Sequence, residues 1–263
     1  MTEPTVLSSV ADGVATVTLN RPAVHNAFDD VLIADLTAVL RRFGDDATVR
    51  CVVLGANGKT FSAGADLAWM QRMARYDRDD NLADARAMAE LMHTLDGLPK
   101  PTVALVQGAA YGGGVGLVAC CDIALAAERA RFSLSEVKLG LIPAVIGPYL
   151  VAAIGRRAAR RYVLSAETFD AATARRLGLV HEVVPAERLE ATGERIVAEL
   201  GAGGPLAQAA AKALIADVVD QRPGDVLGLT AQRIANIRAS DEGQEGLAAF
   251  LEKRKPAWID DES

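Results

Sequence analysis

Chemistry in this sequence centres on one glutamate and two glycine-bearing turns. Glu136 stands in FSLSEVKLGLIP, residues 132–143, a largely apolar run. Burial there disfavours the charged form and lifts the carboxyl toward a range useful for proton transfer. The plainer reading is a surface carboxylate paired with Lys138. The run Gly112-Gly113-Gly114, preceded by Gln107-Gly108, opens an apolar helix. N–H groups at such a start lack intrahelical acceptors, no Cβ obstructs a ligand, and the helix dipole favours negative charge, so the turn suits an anion or a developing oxyanion. Close packing of helix on strand explains the glycines equally well. FSAGADL at 61–67 is another small-residue turn that offers N–H donors, although Asp66 also reads as an ordinary helix N-cap.

Other chemistries lack their residues. Gly114 to Ala119 matches the G-x-G-x-x-A pattern, but only about six helical residues precede Asp122, too few for the crossover of a dinucleotide fold. His25, His93 and His181 lie far apart without metal-ligand spacing, so no metal site is expected. No G-x-S-x-G elbow is present. Cys51, Cys120 and Cys121 sit in apolar stretches and read as small buried hydrophobes rather than as disulfides.

The elements that must position these groups alternate. Residues 6–10 and 14–19 flank Asp12-Gly13 and predict a hairpin. Residues 28–43 carry Val31, Leu32, Leu36, Val39, Leu40 and Phe43 at helical spacing, with Gly44 as the expected stop. Residues 51–54 and 102–106 read as strands buried on both faces. Residues 67–98 are expected as helix broken near 77–80, and a short helix from Gly112 to Cys121 leads into a strand at 122–126. Beyond Gly147 the pattern is helical, with separate pieces at 147–154 and 158–164 and one late strand at 180–184. The reading is α/β with a helical C-terminal region.

The chain has 263 residues, enough for a full core without disulfides or structural metals. With 28 Lys+Arg against 34 Asp+Glu the net charge is −6, which argues against DNA or RNA as partner. The basic clusters at 156–161 and 253–255 leave room for a small anion. Uncharged stretches at 101–121 and 139–155 approach bilayer length, but their glycines and prolines predict protein interior and no membrane span. Residues 1–10 lack a basic start followed by an apolar run, so no leader is read and the cytoplasm is expected.

TLNRP at 18–22 with Asn26-Ala27, FSAGADL at 61–67, the glycine turn with Cys121-Asp122-Ile123-Ala124, SEVKLGLIP at 135–143 and GLAAFLEKR at 246–254 form an ordered set over nearly the whole chain. The set resembles the crotonase (enoyl-CoA hydratase/isomerase) superfamily. That resemblance implies a spiral of ββα units over 1–200, a helical trimerisation region over 201–263, and a homotrimer or a hexamer made of two trimers. It implies an acyl-CoA thioester as substrate, with coenzyme A as part of that substrate and no separate cofactor. Backbone N–H groups of Ala63 and Gly113 would form the oxyanion hole, with Glu136 as acid/base. The segment with Ala65, Asp66 and Leu67 would receive the adenine. His25, Gly112 and Gly116 would join the binding surface, and Phe250 and Lys253 would approach the nucleotide end from a neighbouring subunit. Family hydratases use two glutamates; the second matches Glu136, but the first matches Gly116. One glutamate is the pattern of members that shift a double bond. The phrases at 134–162 and 243–258 look most like the methylglutaconyl-CoA hydratase-like branch, whose members share that departure. A hydratase is expected, with a Δ3,Δ2-enoyl-CoA isomerase and a non-catalytic acyl-CoA-binding protein as alternatives.

Overall fold

Asp12 and Gly13 both take left-handed backbone, with φ 48° and 74°, and this reverses the chain tightly enough for β1 (Val6–Ala11) to pair antiparallel with β2 (Val14–Leu19). The computed structural model describes residues 3–259. Next, Asp29 caps α1 (Asp30–Asp45) by accepting the Leu32 N–H, and Leu32, Ile33, Leu36, Leu40 and Phe43 form its buried stripe. Gly44 does not end this helix. It lies inside it, where a Cβ would sit 3.2 Å from Leu98 Cδ1, and Asp46 supplies the cap instead. Packing against Leu98, not termination, accounts for the glycine.

The chain continues through β3 (Cys51–Ala56), α2 (Leu67–Met73) and α3 (Arg78–Asp96), the last two separated where Asp77 caps the second. Then come β4 (Thr102–Val106), β5 (Ala110–Tyr111), α4 (Gly113–Cys120), β6 (Ile123–Ala127), β7 (Arg131–Ser133), α5 (Gly147–Ser165), β8 (Phe169–Asp170), α6 (Ala171–Leu177) and β9 (Glu182–Val184). Helices α7 (Leu189–Gly201), α8 (Pro205–Val218), α9 (Leu227–Ala239) and α10 (Asp241–Glu252) complete it.

The larger sheet runs β1-β2-β3-β4-β6-β9, parallel except for the opening hairpin, and a second sheet runs β5-β7-β8. The repeated ββα turn is visible here. β4 joins the large sheet, β5 the small one, and α4 returns; β6, β7 and α5 repeat the sequence. Isolated bridges Phe28–Ala65 and Ser62–Ala110 extend the small sheet's line into the preceding turn. The small sheet escapes sequence analysis because strands of two or three residues carry no readable period, so 180–184 is not the only late strand. Likewise α5 spans the two expected pieces, with one non-helical residue at Gly155 (φ 73°, ψ 155°) between them.

The stretch 101–121 is interior as expected, but 139–155 is not: Leu139, Leu141 and Ile142 are exposed, and burial resumes only with Ile146, Leu150 and Ile154. Among the described residues no helix is long and apolar enough to cross a membrane.

Gly108 joins the two sheets, and an ideal Cβ there would lie 1.9 Å from the Lys59 carbonyl oxygen. No rotamer relieves a clash between a Cβ and a backbone carbonyl. Gly108→Ala is expected to destabilise the fold by about 3 kcal/mol or more, read as a lowered urea midpoint.

Candidate active site

The turn at 62–66 is strapped on several sides. Ser62 N–H donates to Ala109 O at 3.1 Å and Tyr111 N–H to Ser62 O at 2.9 Å, tying the turn to β5. Phe28 N–H donates to Gly64 O at 2.7 Å and Asp66 N–H to Phe28 O at 2.8 Å, tying it to the approach to α1. Behind it Asn26, fully buried, accepts the Arg21 N–H and donates to the Asn57 and Thr60 carbonyls. Arg21 pairs with Asp29 at 2.8 Å and Asp66 at 3.1 Å. The Arg-Pro and Asn-Ala pairs of the sequence motif are therefore scaffold for this turn. Asp66 also accepts the Ala68 and Trp69 N–H groups. Burial alone would raise its carboxyl, but those N–H groups and Arg21 outweigh it and hold it below its usual value. Its side chain thus serves the helix and the ion pair.

Gly64 takes φ 87°, a kink that glycine adopts without strain. That kink decides which amide is available. Ala63 N–H donates to His25 O at 3.0 Å, whereas Ala65 N–H has no acceptor among the described residues and Ala65 is exposed. The expected donor Ala63 is corrected to Ala65. Gly113 N–H, at the start of α4, also lacks an acceptor among the described residues, as the first amides of a helix lack one within it. The two turns abut: a Cβ on Gly64 would lie 3.2 Å from Tyr111 O and 3.9 Å from Gly112 Cα.

Glu136 arrives from the next turn of the spiral. Tyr111 pairs with Ser133 in the small sheet, and Gly112 N–H donates to Ser133 O at 3.0 Å, so the residues that follow β5 and β7 stay side by side. A 3-10 turn, Glu136–Leu139, then swings the carboxylate inward, closed by left-handed Gly140 at φ 72°. Glu136 Oε1 would be 3.0 Å from a Cβ on Gly112, whose φ 49°, ψ −118° already restricts the position to glycine. Oε2 is buried without a hydrogen-bond partner among the described residues. Lys138 does not pair with it; its Nζ donates to Ala166 O at 2.9 Å. The surface ion-pair reading fails accordingly.

Burial pushes the Glu136 carboxyl above its ordinary value, opposed only by its own backbone N–H. If ionised Glu136 accepts the first proton, kcat/KM rises with pH along a limb displaced above the ordinary glutamate range near about 4.3. A pH profile of the free enzyme reads this directly; a limb at the ordinary value contradicts it.

Gly116 offers no side chain to this site. It is buried, and a Cβ there would lie 2.3 Å from Ile146 Cγ2 and 3.1 Å from Met92 Sδ. The space beside α4 at this position is filled by two apolar side chains, Ile146 and Met92, that the sequence does not announce. Met88, one turn earlier on α3, covers Gly113 in the same way, with its Cε 2.5 Å from a built Cβ. His25 sits beside the Ala63 amide in left-handed backbone, its Nδ1 3.1 Å from Thr60 Oγ1. Leu67 opens α2 and is 77% exposed. Phe250 and Lys253 are at the end of α10, which packs on α9 and α8.

A buried carboxylate with a free oxygen, beside abutting turns that carry two unaccepted amides, can move a proton at a carbon next to a carbonyl whose oxygen those amides receive. A family model described as enoyl-CoA hydratase/isomerase matches residues 9–261. The solved structure of an enoyl-CoA hydratase from Shewanella pealeana is similar with a TM-score of 0.94 and 49% identity, covering 97% of this chain and 96% of that one. The 2,3-dehydroadipyl-CoA hydratase of Escherichia coli is 34% identical over 244 residues, 92% of this chain and 94% of that protein. The trans-2-decenoyl-(acyl-carrier-protein) isomerase of Streptococcus mutans is 31% identical over 257 residues, 96% of this chain and 97% of that protein.

Proposed function

Because the chain belongs to the enoyl-CoA hydratase/isomerase family, with its crotonase fold, we propose that it adds water across the 2,3-double bond of an enoyl-CoA thioester with Glu136 as the acid/base. The buried, unpartnered Glu136 Oε2 carries this reading. The thioester oxygen is received by the Ala65 and Gly113 N–H groups. Glu136 takes a proton from water as the water oxygen bonds to C3; the double-bond electrons move onto the thioester oxygen, giving an enolate. The enolate collapses as Glu136 returns that proton to C2. One water is added, Glu136 ends as it began, and no electrons leave or enter. A branched acyl chain bearing a carboxylate, as in 3-methylglutaconyl-CoA, is the proposed substrate; the Escherichia coli relative named for 2,3-dehydroadipyl-CoA handles a carboxylated chain. Ile215, Ile234, Phe250 and Leu251 leave apolar side chains exposed on α8 to α10. That surface supports assembly into trimers or a pair of trimers, in which Phe250 and Lys253 would approach a neighbour's nucleotide end.

Incubation with 3-methylglutaconyl-CoA, crotonyl-CoA and a 3-enoyl-CoA, following product mass and enoyl-thioester absorbance together, tests the reaction. Gain of one water with loss of conjugation is expected. Unchanged mass with conjugation appearing from the 3-enoyl substrate overturns it in favour of a second reading. The apolar fill at Gly116 favours that alternative, an isomerase that shuttles one proton through Glu136, and so does the isomerase among the relatives. Gly116→Glu is expected to yield unstable protein, because its Cβ collides with Ile146. Shortening Ile146 to Ala in the same chain should recover thermal stability; equal instability of both variants contradicts this account.

A further inference from the structure

The basic cluster at 156–161 has no place in the reaction, and the fold builds it into a site. A cleft of about 1020 Å³ between α5 and α6 is lined by Arg156, Arg157, Arg160 and Arg161 from one helix and Arg176 from the other. Positions 156, 157, 160 and 161 fall on one side of a helix, since residues four apart are neighbours. Arg161 is held by Glu167 in two hydrogen bonds of 2.5 and 3.2 Å. Arg156, Arg157 and Arg160 are exposed and have no carboxylate partner among the described residues, and Arg176 bonds only Thr173 Oγ1, at 3.2 Å. Three guanidiniums thus stand together without a carboxylate partner, on a chain whose net charge is −6.

Gly155 adds a second feature. Its φ of 73° and ψ of 155° interrupt α5, so the helix restarts at Arg156, a residue that lines the same cleft, with open space where a Gly155 Cβ would be. Amides at a helix start and guanidinium forks both favour phosphate oxygens. Three unpaired guanidiniums exceed the charge of about −1.5 to −2 that one phosphate brings. Tyr162 is buried beneath Phe169 and Arg161, so a flat ring would lie on the planar guanidiniums of the exposed arginines, with half-buried Leu177 beside them.

We infer that this cleft binds a phosphate-bearing small molecule of the nucleoside diphosphate class, at a site separate from the acyl-thioester turn. Calorimetric titration of the full chain with ADP and with inorganic pyrophosphate, at low salt, tests it. ADP is expected to bind the wild type more tightly than pyrophosphate does, and both to weaken as salt rises. The triple variant R156Q/R157Q/R160Q should lose about 10-fold or more in ADP affinity, with the Lys counterpart R156K/R157K/R160K intermediate. Thioester turnover and KM should stay unchanged in both. No ADP binding to the wild type, or equal binding by the folded triple variant, overturns the inference. So does a rise in thioester KM in the triple variant, which would make the arginines part of the substrate site. A triple variant of altered assembly size, with no ADP binding by the wild type, also overturns it and identifies the cleft as an interface.

Discussion

Glu136→Gln leaves the protein folded and still able to bind a CoA thioester, while turnover falls by about 10²–10⁴-fold. The variant keeps the shape and removes the group that accepts and returns the proton; turnover at wild-type rate eliminates Glu136 as acid/base. A second readout moves in the opposite direction. Burial raises the native carboxyl above its unfolded value, so the native state holds this proton more tightly. Stability is therefore greatest below the unfolded pKa, falls as pH rises through the raised native value, and stays lower beyond it. Glu136→Gln abolishes that loss. Its melting temperature should exceed the wild type's at pH 8 and match it at pH 4. A variant that is both inactive and less stable at pH 8 contradicts the burial argument.

Replacing Ala65 by lactic acid, its α-hydroxy analogue, exchanges one N–H for an ester oxygen and keeps the side chain. Turnover is expected to fall by about 10²–10³-fold, the usual effect of losing one oxyanion donor. The same exchange at Ala63 removes the bond to His25 O. There the expected result is a stability loss of about 1 kcal/mol with turnover nearly unchanged. Reversal of the two outcomes restores Ala63 as the donor. Single-turnover kinetics and denaturant titration on both variants decide between them.

Much of the site is legible in sequence because its parts obey local rules. The hairpin at Asp12-Gly13, the helix start at Gly113 and the burial of Glu136 each follow from neighbouring residues. The choice between Ala63 and Ala65 does not. Both amides have the same parity along an extended chain, and only the left-handed backbone at Gly64 separates them by giving the first to His25. Gly116 is illegible for another reason. Its neighbours Ile146 and Met92 come from α5's approach and from α3, and no local pattern announces that they meet there. Exposure of 139–142 is hidden in the same way: an uncharged run looks like core until the fold shows which of its side chains have something to pack against.

The spiral has a consequence for how activity is acquired. Ala65, Gly113 and Glu136 each belong to a different turn of the winding, and each is held in place by hydrogen bonds to an adjacent turn. No single turn contains a working pair. A ribosome-bound or proteolytically trimmed chain that lacks the third turn can own both amides and still have nothing to do with them. Competence should thus appear late and all at once during synthesis, when β7 locks beside β5, and gradual recovery during refolding should be seen in secondary structure before any is seen in turnover.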